Sequence, residues 1–394
     1  MKRGIISFVD IDASRFTQVD ELQCIPYFSK ISWGFFRHRT KLLCRKCGNH
    51  IGNAYDVKTL VYPPVPDGSD SSSGLECASS SGSRVTFPRF KGGNGAESFG
   101  LPYLSAYLDS LGTNFTHGAN FATAASTITL PISIKPNGRS SPFYLYLQYL
   151  QFQQFKSGSQ IIRKRGGIFA NLMPKEEYFS KALYTFDIGQ NDLGIAFFLN
   201  KSVKEVNASV PDIVKKFSAN IKDIYNLGGR SFWIHNTGPI GCLPYILTYF
   251  SSPKDGAGCV KIYNEVAQHF NLKLKEAVVQ LRKDFPSAAF TYVDVYSVKY
   301  SMFKELQKYG FELPLVSCCG YGRKYRYNSD AEGEETIVVN GTKIFVGSCG
   351  RPSVRVNYDG IHYTEAAARF VFDQISTGNF SDPPVPLKMA CHTS

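Results

Sequence analysis

The chain has 394 residues, 43% of them hydrophobic, which is long enough and apolar enough for one large α/β domain with an appendage. Its excess of 12 positive charges is scattered, apart from Arg163-Lys164-Arg165 and Arg323-Lys324-Tyr325-Arg326, so it describes mainly a solvated surface. No nucleic-acid-binding motif accompanies it, which excludes nucleic acid as the partner; contact of the two clusters with acidic polysaccharide stays open.

At the N-terminus, Met1-Lys2-Arg3 leads into a brief apolar run broken at Asp10 and Asp12, which is no signal peptide. No stretch is apolar for long enough to span a membrane. Ile5 to Val9 has the length of a short strand, and Gln23 to Arg39 is aromatic and basic. Cys44-Arg45-Lys46-Cys47 is a tight Cys-x-x-Cys knuckle, half of a zinc ribbon. A full site needs four ligands, and Cys24, Cys77, His38 and His50 supply candidates without forming a second knuckle. Zinc held by Cys44 and Cys47 therefore stands against two free thiols on a turn. A Ser/Gly/Pro-rich stretch over 66–95 reads as a linker, and Gly92-Gly93-Asn94-Gly95 marks an abrupt change of character, as at a junction between unrelated sequences.

Beyond the junction the elements alternate. His117-Gly118-Ala119-Asn120 is a turn where Gly118, lacking a side chain, can bring a backbone N–H up to a developing oxyanion. Phe143 to Phe155 reads as a helix. Leu183 to Ile188 reads as a buried strand entering the turn Gly189-Gln190-Asn191-Asp192, from which Asn191 can donate its amide to the same oxyanion. Val210 to Leu227 follows as a helix, Ser231 to Asn236 as a strand, Val260 to Phe285 as a long amphipathic helix and Ala289 to Val295 as a strand. Strands alternating with helices imply a parallel sheet covered on both faces, with active residues at the strands' carboxyl ends.

Near the C-terminus, Asp359-Gly360-Ile361-His362 can fold back so that the carboxylate accepts the proton on imidazole Nδ1. That fixes the tautomer and leaves Nε2 to act as a base. The run Thr364 to Ile375 is a helix by its spacing. Cys242, Cys259, Cys318, Cys319, Cys349 and Cys391 form an even set without metal-ligand spacing, as in a secreted disulfide-bonded domain, with the pairing open. Asn-x-Ser/Thr sequons occur at Asn114, Asn200, Asn207, Asn340 and Asn379.

From about Ala96 to Ser394 these blocks, with Phe99-Gly100-Leu101-Pro102-Tyr103, Gly238-Pro239-Ile240-Gly241-Cys242-Leu243-Pro244, Cys318-Cys319-Gly320 and Asp382-Pro383-Pro384, resemble the plant GDSL-type esterases and lipases, within the SGNH hydrolases. The resemblance implies an α/β, SGNH-hydrolase-like three-layer sandwich, with His362 as general base, Asp359 as its orienting partner, and Gly118 and Asn191 as oxyanion donors. It also implies secretion, a small-molecule or carbohydrate ester as substrate, and no cofactor; it leaves the oligomeric state open. Tyr358 stands where the family usually has Trp, and Ala125 where Gly is common.

The nucleophile is the exception. The family places Gly-Asp-Ser at the end of its first strand, which falls near Tyr55 or earlier, where the chain reads Asn53-Ala54-Tyr55-Asp56-Val57-Lys58. No Gly-Asp-Ser and no Gly-x-Ser-x-Gly elbow occurs anywhere, and Asp67-Gly68-Ser69-Asp70 has the letters in another order. Loss of the first strand would leave neighbouring N–H and C=O groups unpaired, at about 1–3 kcal/mol each if buried, unless an N-terminal strand such as Ile5 to Val9 replaces it. The segment around the knuckle is similar to the Mss4-like zinc-ribbon group, which includes methionine sulfoxide reductase B. The resulting division is 1–65 as a zinc-ribbon-like fragment, 66–95 as linker and 96–394 as an esterase domain without its first block. Three functions follow as expectations: an ester hydrolase inactive as written, an ester- or glycan-binding pseudoenzyme, and a zinc-binding interaction module.

Overall fold

The computed structural model describes residues 16–28, 33–44, 50–55, 93–109, 112–131, 141–322, 324–327, 335–339 and 341–391. The chain divides into two compact units, 1–72 and 73–394.

The first unit holds three antiparallel strands, β1 (Phe16–Phe28), β2 (Trp33–Cys44) and β3 (His50–Tyr55), in the order β1-β2-β3. Phe16 lies opposite Cys44 and Arg39 opposite Tyr55. The irregular appendage expected here is instead a meander of long strands, in keeping with Phe, Val, Thr and Tyr along β1, residues that favour a pleated surface. Cys44 closes β2, whereas Cys47 and the Ile5 to Val9 run lie outside the described residues. The expected replacement strand falls wholly there, and the expected zinc site falls there in part.

In the second unit the sheet runs β4 (Leu183–Phe186), β5 (Ser231–His235), β6 (Ala289–Val293) and β9 (Ser381–Asp382). β4, β5 and β6 are parallel, with Leu183 opposite Ser231 and Ser231 opposite Ala289. The two-residue β9 pairs antiparallel with β6, so the sheet is mixed rather than purely parallel. β7 (Glu335–Val339) and β8 (Thr342–Val346) form a separate hairpin. Among the described residues β4 pairs with β5 alone, and its residues are half-buried or exposed. The buried strand expected there is thus an edge, because nothing described covers its second flank.

Strand alternation divides the interior in two. Phe232 and Ile234 of β5 join a core built with α1 (Leu145–Arg165), α3 (Val203–Asn226) and α4 (Lys261–Asp284). Trp233, between them in sequence, joins a second core with α5 (Val295–Lys304) and α6 (Glu365–Ile375). Successive side chains of a strand point to opposite faces, so this division is the three-layer helix–sheet–helix sandwich. Across the sheet the rings of Tyr184, Phe232 and Phe290 stack at 5.6 and 4.8 Å between centroids, one from each parallel strand.

Several boundaries move for local reasons. α3 begins at Val203, seven residues before the expected start, because Ser202 and Glu205 form a reciprocal capping box; Pro211 lies inside the helix. α1 runs on past Phe155 through Gly158 to Arg165 and stops at Gly166, whose φ is 72°. Helix α2 (Gln190–Phe198) occupies what reads in the sequence as a turn.

Candidate active site

The exit of β4 is fixed by a glycine. Gly189 has φ 115°, and a Cβ there would stand 2.6 Å from Cζ of Phe270 on α4, so any side chain would collide with a core ring. This sharp turn starts α2 immediately, with Asn191 and Asp192 in its first turn. Nδ2 of Asn191 donates to the Ser126 carbonyl at 2.8 Å. The Asp192 carboxylate accepts from the backbone N–H groups of Ile128 at 2.8 Å and Thr129 at 3.0 Å, and from the Thr129 hydroxyl at 2.9 Å. Two neighbouring side chains thereby clasp the 126–129 segment. Asp192 is only 9% exposed. Burial pushes its carboxyl up to about 6, against the pull of the N–H groups of Ile128 and Thr129.

The clasped segment leads back to Gly118. That residue has φ 126°, and its own N–H donates to the Phe115 carbonyl at 3.1 Å. The N–H that sequence reasoning aimed at an oxyanion therefore closes a local turn in this structure. Asn120 accepts from Tyr107 and donates to Ser105, tying the Gly118 turn to the 105–107 segment. Between them lies a cavity of about 200 Å³, lined by Tyr103, Leu104, His117 and Gly118 among others.

The Asp359–His362 pair is built locally. Nδ1 of His362 lies 2.6 Å from Oδ2 of Asp359, while Oδ1 of Asp359 accepts from the N–H groups of His362 at 2.8 Å and Ile361 at 2.9 Å. Burial raises the Asp359 carboxyl, but the His362 ring and these N–H groups outweigh it and hold it well below the usual carboxylate range. The loop folds this way because Gly360, at φ 99°, packs under Tyr327, where a Cβ would stand 2.3 Å from the ring. Asn357 and Tyr358 accept from the N–H groups of Cys318 and Cys319. The disulfide Cys318–Cys349 then anchors that neighbouring segment, and Cys242–Cys259 ties the exit of β5 to the entry of α4. Thr364 caps α6 by accepting from the N–H of Ala367, so the helix starts directly after the pair.

Of the expected residues, then, His362 and Asp359 are brought together, Asn191 is fixed to the 126–129 segment, and Gly118 lines the cavity. Asp192 was not among them. Its role rests on partners more than sixty positions away, and the only hint in the sequence is its place next to Asn191.

Residues 67–375 match the family model described as GDSL-like lipase/acylhydrolase, and residues 1–87 match one described as At4g08330 beta-tent. The N-terminal likeness is therefore to that second family, and the expected zinc-ribbon likeness gives way to it. Among relatives, a protein named Esterase from Hevea brasiliensis is 67% identical over 300 residues, covering 75% of this chain and 76% of its own length. GDSL esterase/lipase ENOD8 from Medicago truncatula is 61% identical over 298 residues, 75% of this chain and 77% of its own. Alpha-L-fucosidase 3 from Arabidopsis thaliana is 50% identical over 287 residues, 72% of this chain and 77% of its own. Matched by the family model over most of its length, the chain belongs to the GDSL-like lipase/acylhydrolase family.

Proposed function

We propose that the second unit binds a small-molecule or carbohydrate ester as its hydrolytic relatives would, and that this chain does not turn the ester over. The observation that carries the reading is the His362–Asp359 pair at 2.6 Å in a sequence without Gly-Asp-Ser. His362 held by Asp359 has the arrangement of a general base, and Asn191, which gives one amide N–H to the Ser126 carbonyl, would serve as an oxyanion donor through its second N–H. The missing part is the hydroxyl that would attack the carbonyl, so the acyl-enzyme step has no nucleophile. A carbohydrate ligand is favoured by the relatives' names, which include both an esterase and a fucosidase. The disulfides Cys242–Cys259 and Cys318–Cys349 suit an oxidising compartment, which supports a secreted protein. Among the described residues no helix is long and apolar enough to cross a membrane.

The test is p-nitrophenyl acetate hydrolysis by the full chain and by His362→Ala. Removing a nucleophile leaves activity lower by several orders of magnitude, so both proteins are expected at background. Turnover that His362→Ala abolishes would overturn the reading, because a working nucleophile would then exist.

A further inference from the structure

The C-terminal end of α1 carries apolar and basic side chains together on the surface. Its last turn holds Arg163, Lys164 and Arg165, and Ile161, 51% exposed, stands just before them. Gly166 and Gly167, at φ 72° and 78°, then swing the chain into a 3₁₀ turn over Ile168–Leu172. At its tip Ile168 is 77% exposed and Phe169 is 53% exposed. The tip is firmly held. Nη1 of Arg163 donates to the Ala170 and Met173 carbonyls, each at 2.9 Å, and the Phe115 N–H donates to the Leu172 carbonyl at 2.7 Å. Arg163 is thus spent on the turn, while Lys164 and Arg165 are exposed. The carboxylates that follow are engaged by other cations, Glu176 by Lys156 at 3.0 Å and Glu177 by Lys175 at 4.0 Å. Residues 156–181 hold six cations and two carboxylates, so the stretch is positive.

We propose that this end of the second unit docks on an anionic lipid surface, with Ile168 and Phe169 entering the boundary between headgroups and acyl chains and with Lys164 and Arg165 meeting the lipid phosphates. A single exposed apolar residue is ordinary on a protein surface. An isoleucine and a phenylalanine side by side, next to exposed cations, supply both parts of interfacial binding: apolar area to bury and attraction to anionic headgroups. Because Arg163 and Phe115 already fix the turn, docking has little further chain to order. An acidic polysaccharide would satisfy the cations, but it offers no apolar layer to receive Ile168 and Phe169.

The test is sedimentation of the full chain with phosphatidylcholine vesicles, with and without phosphatidylserine. Binding is expected with phosphatidylserine, to be lost without it, and to weaken as salt screens the headgroups. Lys164→Gln/Arg165→Gln should weaken it about thirtyfold, from about fivefold for each cation. Ile168→Ser/Phe169→Ser should weaken it about tenfold or more with every cation kept. Vesicle binding by Ile168→Ser/Phe169→Ser equal to that of the native chain overturns the docking, and so does retention on polygalacturonate by a native chain that leaves the vesicles unbound. Phe169→Trp keeps an aromatic ring at the tip and reads insertion directly. Lipids brominated on their acyl chains should quench its fluorescence beyond any quenching of the native Trp33 and Trp233. Vesicle-bound Phe169→Trp without that added quenching overturns the insertion of the tip.

Discussion

The two groups of candidate residues are built on opposite principles. Asp359 and His362 are three residues apart, with side chains 39% and 48% exposed, and they meet within one loop. Asn191 and Asp192 hold a segment more than sixty residues earlier in the chain, and Asp192 is almost fully buried. A half-exposed pair contributes less to folding than a buried one, because solvent screens part of its attraction and both side chains lose freedom. A buried carboxylate that satisfies two backbone N–H groups and a hydroxyl contributes through what its removal leaves unpaired. The pair is chemistry placed on the surface; the clasp is part of the scaffold.

The largest expected effect is therefore on the clasp. Asp192→Ala leaves the Ile128 and Thr129 N–H groups without their acceptor, which should lower unfolding stability by about 3 kcal/mol, at 1–3 kcal/mol for each buried donor. Urea denaturation measures this, and a loss below about 0.5 kcal/mol, within the range of ordinary surface substitutions, would break the contrast. A smaller and more diagnostic effect is pH dependence. The folded-state value of Asp192, about 6, lies above that of an unfolded aspartate. As pH rises through the range between the two, the unfolded chain gives up its proton first, and stability falls. Asp359 acts in the other direction: its value is lowered by folding, so its contribution is present above the unfolded value and is lost as acidification continues below it. Thermal melting from pH 3 to 7 should show the decline toward pH 6 in the native chain and not in Asp192→Asn. The smallest effect is expected for His362→Ala, which costs the Asp359 carboxylate one half-exposed partner and should lower stability by about 1 kcal/mol or less. A larger loss in thermal melting would mean that the base also holds the fold.

The same contrast explains what the sequence displayed. Asp359-Gly360-Ile361-His362 is legible because both partners and the glycine that bends the loop lie in one tetrapeptide. The long amphipathic helix α4 is legible because Val266, Phe270, Leu274, Val278 and Leu281 recur at helical spacing, and all five are buried. Asn191 could be picked out from its turn, but what it is fixed to could not, since Ser126 is brought in only by tertiary folding. The start of α3 carried a readable signal in Ser202 and Glu205, outweighed by Pro211 further along. That β4 is an edge among the described residues had no local signature, because its residues are as apolar as those of a covered strand. In the N-terminal unit the cysteine knuckle has a sharper local signature than the strands that precede it, whose pairing is set across the sheet.

The clasp around residues 126–129 has a consequence for how such a protein ages. A donor that is aligned only for catalysis drifts once turnover ceases, because no selection then acts on its position. Asn191 sits beside an aspartate whose loss would impair folding, on a turn that admits only glycine. Selection on foldability alone would therefore preserve the surroundings of Asn191, and around the pair it would preserve Gly360 but not the half-exposed His362 side chain. Of the two groups, the half-exposed imidazole would then change first and the clasped turn would outlast it.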